Sequence, residues 1–497
     1  MRRTTLPPTA ARRTTLPPTA ARRTVTMALT ALLLTCAVAH AQPEMPPRDA
    51  AKKVDFAAGA AAVRDLLGAL VAADTTNPPG NEARAVALGK QRLEKAGIPF
   101  EVTEFAPGRE NLVARLKGGD GSEKPLLLIA HVDVVGTDGQ DWSTDPRKMT
   151  EIGGYLVGRG VADDFAMAAL ALQTLILLKQ HDVPLRRDVI VAWTGDEESG
   201  GAGVRWILEH KPELLDAGIA LNEGGGLSLD DHGRPKLIQL QTAEKQYQDF
   251  TITAHGTTGH SSVPRNDNAI YALSAGLAKL ATHRFTPRLL PVTRAYFTNR
   301  APLEEPELAA AMRTLAATDG PPPADALAVL DEDPALAATV RTTCVATMLS
   351  GGTRVNALPA KATANVNCRI LPGESVADVQ KEIQRALGDP KLEVTPTNEF
   401  GFGQPSDLNG AAPLAIRAVT EQMWPGLPIV PFMSRGATDS RFLRAKGIDA
   451  YGINPIGLSD DDESRMHGVD ERIPAASLQP GLEFLYRLVL ELAAKKS

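Results

Sequence analysis

The sequence predicts an α/β fold with a mostly parallel central sheet, into which a smaller ferredoxin-like α+β unit is inserted. Three observations predict it. Short apolar runs at 126–130 (LLLIA), 189–193 (VIVAW) and 218–221 (GIAL) alternate with helical stretches, the pattern of strands buried on both faces. Between about Tyr247 and Thr395 the order changes to strand, helix, strand, strand, helix, strand. From about Asn398 the first pattern resumes, so one unit is split around the other.

Composition bounds the rest. The chain has 497 residues, of which 43% are hydrophobic and 23% charged. That is enough for several packed units and incompatible with a disordered or polytopic membrane chain. Asp and Glu outnumber Lys and Arg, 59 to 53, and six of the arginines lie in the first 41 residues, which carry no acid. The body is therefore distinctly acidic, which argues against a nucleic-acid partner.

Residues 1–41 are expected to be a targeting segment. RRTTLPPTAA at 2–11 recurs at 12–21, a Pro/Thr/Ala duplication with no packing period. Met27 competes with Met1 as initiator. From it the chain reads MALTALLLTCAVAHAQ behind Arg22 and Arg23, and Ala39-His40-Ala41 forms a small-x-small cleavage site. Export to the periplasm or beyond follows from this reading. The weaker alternatives are a membrane anchor, for which the run falls short of the ~20 residues that span a bilayer, a lipoprotein at Cys36, and twin-arginine export.

A first catalytic part is expected over 50–245, with FAMAALALQTLILLKQ (165–180) too long for a strand and read as a buried helix. The inserted unit spans 246–397. Its strands are DFTITAHG, TTCVATMLSGG, ATANVNCRI and KLEVTPT, its helices NAIYALSAGLAKL and SVADVQKEIQRALG, and an Ala/Pro-rich stretch at about 285–340 is an added helical elaboration. The second catalytic part, 398–497, contributes the strand DAYGINP and the closing helix SLQPGLEFLYRLVLELAAK.

Acidic and histidine-bearing clusters follow the apolar strands directly: His131-Val132-Asp133, Asp196-Glu197-Glu198 and Glu223-Gly224-Gly225-Gly226. Asp163-Asp164 opens the buried helix, and Met466-His467-Gly468 follows the last strand. In an open α/β sheet, ligands bind beyond the carboxyl ends of the strands, so these side chains are expected to converge. Converging carboxylates repel unless a cation compensates them. Two His with several Asp/Glu, and no CxxC or Cys/His cluster, is a ligand set for a carboxylate-bridged metal pair. Singly, each motif also fits a cap or a solvated turn; together they do not.

With these motifs in this order, and with Gly259-His260-Ser261-Ser262-Val263-Pro264 in the inserted unit, the chain from about residue 60 resembles the M20 metallopeptidases. That family includes glutamate carboxypeptidase, aminoacylase and carboxypeptidase S. The resemblance implies a zinc-peptidase catalytic domain with an inserted lid and dimerisation domain. It implies two Zn2+, with Co2+ and Mn2+ suited to the same ligands. His131 and Glu223 would hold one ion, Glu198 and His467 the other, and Asp163 would bridge them. Asp133 would orient His131, and Glu197 would be the general base. His260 would stabilise the oxyanion from the neighbouring subunit of a homodimer. Asn356, Arg369 and Arg441 occupy positions resembling those that hold a substrate carboxylate. Where the family commonly reads Asp-Met-Lys-Gly or Asp-Asp-Lys-Gly, this chain has Asp163-Asp164-Phe165-Ala166 and no Lys.

The implied reaction is amide hydrolysis of a small peptide or N-acyl amino acid with a free carboxylate. Carboxypeptidase comes first, aminoacylase and dipeptidase follow, and an exported peptide-binding protein without catalysis is the alternative of another class. Cys344 and Cys368 lie on consecutive strands of the inserted unit. Antiparallel pairing would allow a disulfide, and a one-residue slip would leave two buried thiols.

Overall fold

The apolar run at 126–130 becomes the strand Leu126–His131, with every residue buried. Leu126, Leu128 and Ala130 enter the main hydrophobic core, while Leu127 and Ile129 enter a second core on the opposite face. A period of two with both faces apolar is what a strand covered on both sides requires. This computed structural model describes residue 51, residues 53–397 and residues 403–495. The expected targeting segment and its cleavage site lie outside the described residues.

Eight strands form the central sheet, in the order Phe100–Ala106, Arg109–Leu116, Val189–Thr194, Leu126–His131, Ile219–Leu229, Asp449–Leu458, Pro235–Glu244, Ile429–Ser434. The four from Val189–Thr194 to Asp449–Leu458 run parallel, as does the last pair. The first two strands make an antiparallel edge. The helix Phe165–Gln180 buries 13 of its 16 residues against the sheet, against Phe56–Ala73 and against the closing helix Leu478–Ala493. Asp55 caps Phe56–Ala73 by accepting from the Ala58 N–H. On the other face, Ala202–His210 and Ser440–Ala445 supply Val204, Ile207, Phe442 and Leu443 to the second core.

The strand-helix alternation beyond residue 245 closes into a separate four-stranded antiparallel sheet, ordered Thr343–Gly351, Lys361–Ile370, Gln246–His255, Glu393–Pro396. Numbered along the chain this is 2-3-1-4, the ferredoxin-like order. Helices Ala269–Thr282 and Val376–Leu387 bury Leu273 and Ile383 on Phe250, Ile252 and Val366, a core separate from that of the larger sheet. Cys344 faces Cys368 in register, and the two are joined by a disulfide with Cα atoms 4.1 Å apart.

Residues 285–340 form four helices, Pro291–Arg300, Pro306–Ala317, Ala324–Asp331 and Pro334–Ala337. Three of them start on a proline, whose missing N–H costs nothing at a helix start. They gather Phe297, Met312, Leu315 and Leu330 into a small core of their own, and the first packs on the edge strand Ile429–Ser434.

Candidate metal centre

The strand-end motifs converge. His131 closes its strand, Glu223 lies within Ile219–Leu229, and Asp163 immediately precedes the buried helix. His131 Nε2 lies 3.0 Å from Asp163 Oδ1, and His467 Nε2 lies 3.1 Å from Asp163 Oδ2 and 3.0 Å from Glu198 Oε2. Glu223 Oε1 is 3.8 Å from His131 Nε2. One carboxylate thus offers an oxygen to each of two histidines. Ligand atoms of His131, Asp163 and Glu198, and separately of His131, Glu197 and Glu223, fall within 4.8 Å of one another.

The residues fit a metal pair. Two ligand atoms each roughly 2.0–2.2 Å from an ion at a tetrahedral angle are about 3.3–3.6 Å apart, a few tenths of an ångström beyond the 3.0–3.1 Å His–carboxylate distances here. One oxygen of Glu198 is buried without a hydrogen-bond partner. Four carboxylates and two imidazoles share the site, and their charges shift one another. Burial pushes Glu197 and Glu223 well above the usual carboxylate range, and for Glu223 the charges of Asp163 and Glu197 add to it. Burial alone would lower His131, but its hydrogen bond to Asp163 and the nearby acids carry it well above normal. Hydrogen bonds to Asp163 and Glu198 raise His467 to about 10. Against burial, the two histidines hold Asp163 low.

Local structure aims each ligand. His131 Nδ1 donates to the Asp133 carbonyl at 3.0 Å, which leaves Nε2 as the ligating nitrogen. Asp133 therefore orients His131 through its backbone; its carboxylate stands 3.6 Å from Nδ1. The carboxylate instead accepts the Glu197 and Glu198 N–H groups at 3.1 and 3.3 Å, fixing the turn that presents both glutamates. Asn77 Nδ2 donates to Asp133 and to Asp196, and Arg109 ties Asp196 to Glu82.

Glu471 is a residue that sequence reasoning missed. Fully buried, it accepts the N–H groups of Gly160, Ala162 and Asp163 and pairs with Arg159 at 2.6 Å, which locks the loop carrying Asp163. Gly160 has φ +83°, and a Cβ there would meet the Phe165 ring at 2.5 Å, so only glycine fits that turn. Asp439 was missed as well. It accepts from Thr194 Oγ1 at 2.7 Å beside the glutamate turn, and burial raises it to about 6. Asp164, expected to face the helix start, is fully buried, and burial pushes it well above the usual carboxylate range. A cavity of about 310 Å³ opens against Asp163 and Glu223, walled in part by Leu227, Phe432, Ile456 and Leu458.

Peptidase family M20/M25/M40 matches residues 127–491, a span that includes every residue of this cluster. The chain belongs to that family. The human N-fatty-acyl-amino acid synthase/hydrolase PM20D1 is 28% identical over 395 residues, covering 75% of each chain. Probable carboxypeptidase S-like 2 of Dictyostelium discoideum is 27% identical, covering 76% of this chain and 74% of its own. In fold, the chain is similar to the M20 family metallo-carboxypeptidase Sso-CP2 from Sulfolobus solfataricus, with a TM-score of 0.64 and 16% identity over 86% of this chain and 98% of that one. This M20 chain is thus a metallohydrolase of the peptidase and amidohydrolase type, and its cluster suits a dinuclear centre.

The remaining expected site residues are His260, Asn356, Arg369 and Arg441. His260 and Asn356 are exposed, and His260 belongs to a two-stranded ribbon, Gly259–His260 with Ala357–Leu358. The His260 Nδ1 accepts from the Ser262 N–H at 3.2 Å, and no ion pair or hydrogen bond links it to the cluster among the described residues. Arg369 stacks on Tyr247 at 4.7 Å and donates to Asn367; Arg441 lies over Phe442 at 4.6 Å.

Proposed function

We propose that this M20 enzyme is an exported, dizinc exopeptidase that cleaves the amide bond of peptidyl or N-acyl amino acids bearing a free carboxylate. The observation that carries it is Asp163, placed between His131 and His467 with one oxygen toward each, beside Glu198, one oxygen of which meets His467 while the other has no hydrogen-bond partner among the described residues. A bound divalent pair would polarise the scissile carbonyl and bring the pKa of an attacking water toward neutrality. Glu197 then takes the water's proton and returns it to the leaving nitrogen. Its backbone N–H, anchored on Asp133, keeps the carboxylate at the cluster without ligating through the turn itself.

His260 donates to the developing oxyanion from a second copy of the chain. Its exposure, and the exposed edge strand bearing Val345, Met348 and Leu349, support a homodimer formed through the inserted unit at 246–397, which would act as lid. Asn356, Arg369 and Arg441 would contact the substrate carboxylate. The relatives named for N-fatty-acyl-amino acids favour an aminoacylase-like substrate as the second reading within the same chemistry.

Turnover of a dipeptide and N-acyl amino acid panel, followed by chromatography, tests this. Hydrolysis should be abolished by chelation and restored by Zn2+. Stoichiometric zinc with no hydrolysis of any member would favour the binding-protein alternative.

A further inference from the structure

We propose, on the amidase reading above, that Arg435 is a further anchor for the substrate's free carboxylate, complete within one chain. Arg435 lines the cavity of about 310 Å³ that also touches Asp163 and Glu223. It lines a second cavity too, of about 440 Å³, under the helices at 291–337, and Phe432 and Gln239 are common to both. It therefore stands where the cleft at the metal centre opens toward the helical elaboration.

Its chemistry is unspent. The Arg435 side chain is exposed and makes no hydrogen bond or ion pair among the described residues. Of the other guanidinium groups, Arg444 is buried against Glu244 at 2.7 Å, while Arg369, stacked on Tyr247, and Arg441, over Phe442, are the carboxylate contacts already proposed, which Arg435 would join. Gln239 donates to Ser228 and so does not compete for an incoming anion. Glu463, the cavity's remaining acid, forms no ion pair with Arg435. The apolar wall of Leu227, Ile456 and Leu458 keeps water from one side, which strengthens a charge-assisted bond made there. A planar guanidinium meets a carboxylate with two parallel bonds, and it would hold the substrate by its charged end within the cleft that contains the cluster.

The test compares the N-acyl amino acid turned over best in the panel with its C-terminal carboxamide, using the metal-loaded enzyme. Wild type should prefer the acid. Arg435→Gln should raise KM for the acid about tenfold or more, the scale of a lost charge-assisted bond, with kcat within about threefold and the amide unaffected. Arg435→Lys should recover part of the preference. An unchanged acid-to-amide ratio in Arg435→Gln overturns the assignment while leaving the amidase reading intact. If wild type hydrolyses no member of the panel, the amidase reading fails and the assignment with it.

Discussion

The metal cluster and the His260 ribbon are built in opposite ways. His131 and Glu223 sit on strands of an eight-stranded sheet and Asp163 just before the buried helix, with His131 held by the Asp133 carbonyl and the Asp163 backbone by Glu471. His260 and Asn356 sit on a ribbon with two residues per strand and are exposed to solvent. Buried, over-determined side chains are placed before any ligand arrives. Exposed side chains on a short ribbon acquire a fixed position only against a partner surface. The contrast teaches that the acidic and histidine cluster is fixed within one chain, whereas the His260 ribbon is not tied to it by any hydrogen bond or ion pair among the described residues, which is why its role is proposed from a second copy.

The hardest way to break the comparison is at the bridge. Asp163→Ala should lose both ions and all measurable turnover, whereas Asp164→Asn should keep both, because the contacts to His131 and His467 run through Asp163 and not through Asp164. Metal analysis decides it, and equal loss in the two variants would remove Asp163 from its bridging role. Next in size is the base. Glu197→Gln should retain zinc and lose on the order of 10²-fold or more in rate, while Glu198→Gln should lose zinc as well. Normal turnover in Glu197→Gln refutes the base assignment.

The ribbon makes the third test. His260→Ala should cost about 10²-fold in kcat, the scale of removing one oxyanion donor. Mixed with Glu197→Gln subunits it should regain activity, since one hybrid site would carry both groups. No rescue despite proven subunit exchange would move His260 out of the neighbouring site.

The smallest effect concerns the crossing between the two sheets. Lys245 lies between the strands Pro235–Glu244 and Gln246–His255, and its Nζ donates to the Ala338 and Arg341 carbonyls and to Thr343 Oγ1. Burial lowers it from 10.5 to about 7. Between about pH 7 and 10.5 the unfolded chain therefore binds the extra proton, so stability rises with pH across that window, by at most about 1.4 kcal/mol per unit. The urea midpoint of wild type relative to Lys245→Met should shift in favour of wild type as pH rises from 7 to 9. A pH-independent difference would mean that the lysine is not titrating there.

Much of this was legible in the residues. LLLIA, VIVAW and GIAL became neighbouring parallel strands because an unbroken apolar run has to be covered on both faces. The ferredoxin-like order was readable because a period of two gives way to a helical period at each boundary. Cys344 and Cys368 were left between bridge and free thiols, since only register chooses, and the strands pair them directly. The antiparallel edge at Phe100–Leu116 went unread.

What the sequence determined by itself is therefore the local part: which segments are strands and helices, and that acidic and histidine-bearing clusters follow successive strands, because periodicity and strand-end position are properties of neighbouring residues; the choice of His131, Asp163, Glu197, Glu198, Glu223 and His467 among them is what the M20 resemblance implies. What only the tertiary structure decided is which charges meet. Glu471 reaches its loop across 308 residues or more, Asn77 spans two carboxylates 56 and 119 residues away, and Arg435 is left unpaired where two cavities join. Charged side chains carry no period, and their partners are fixed only when folding buries them together and unpaired burial becomes costly.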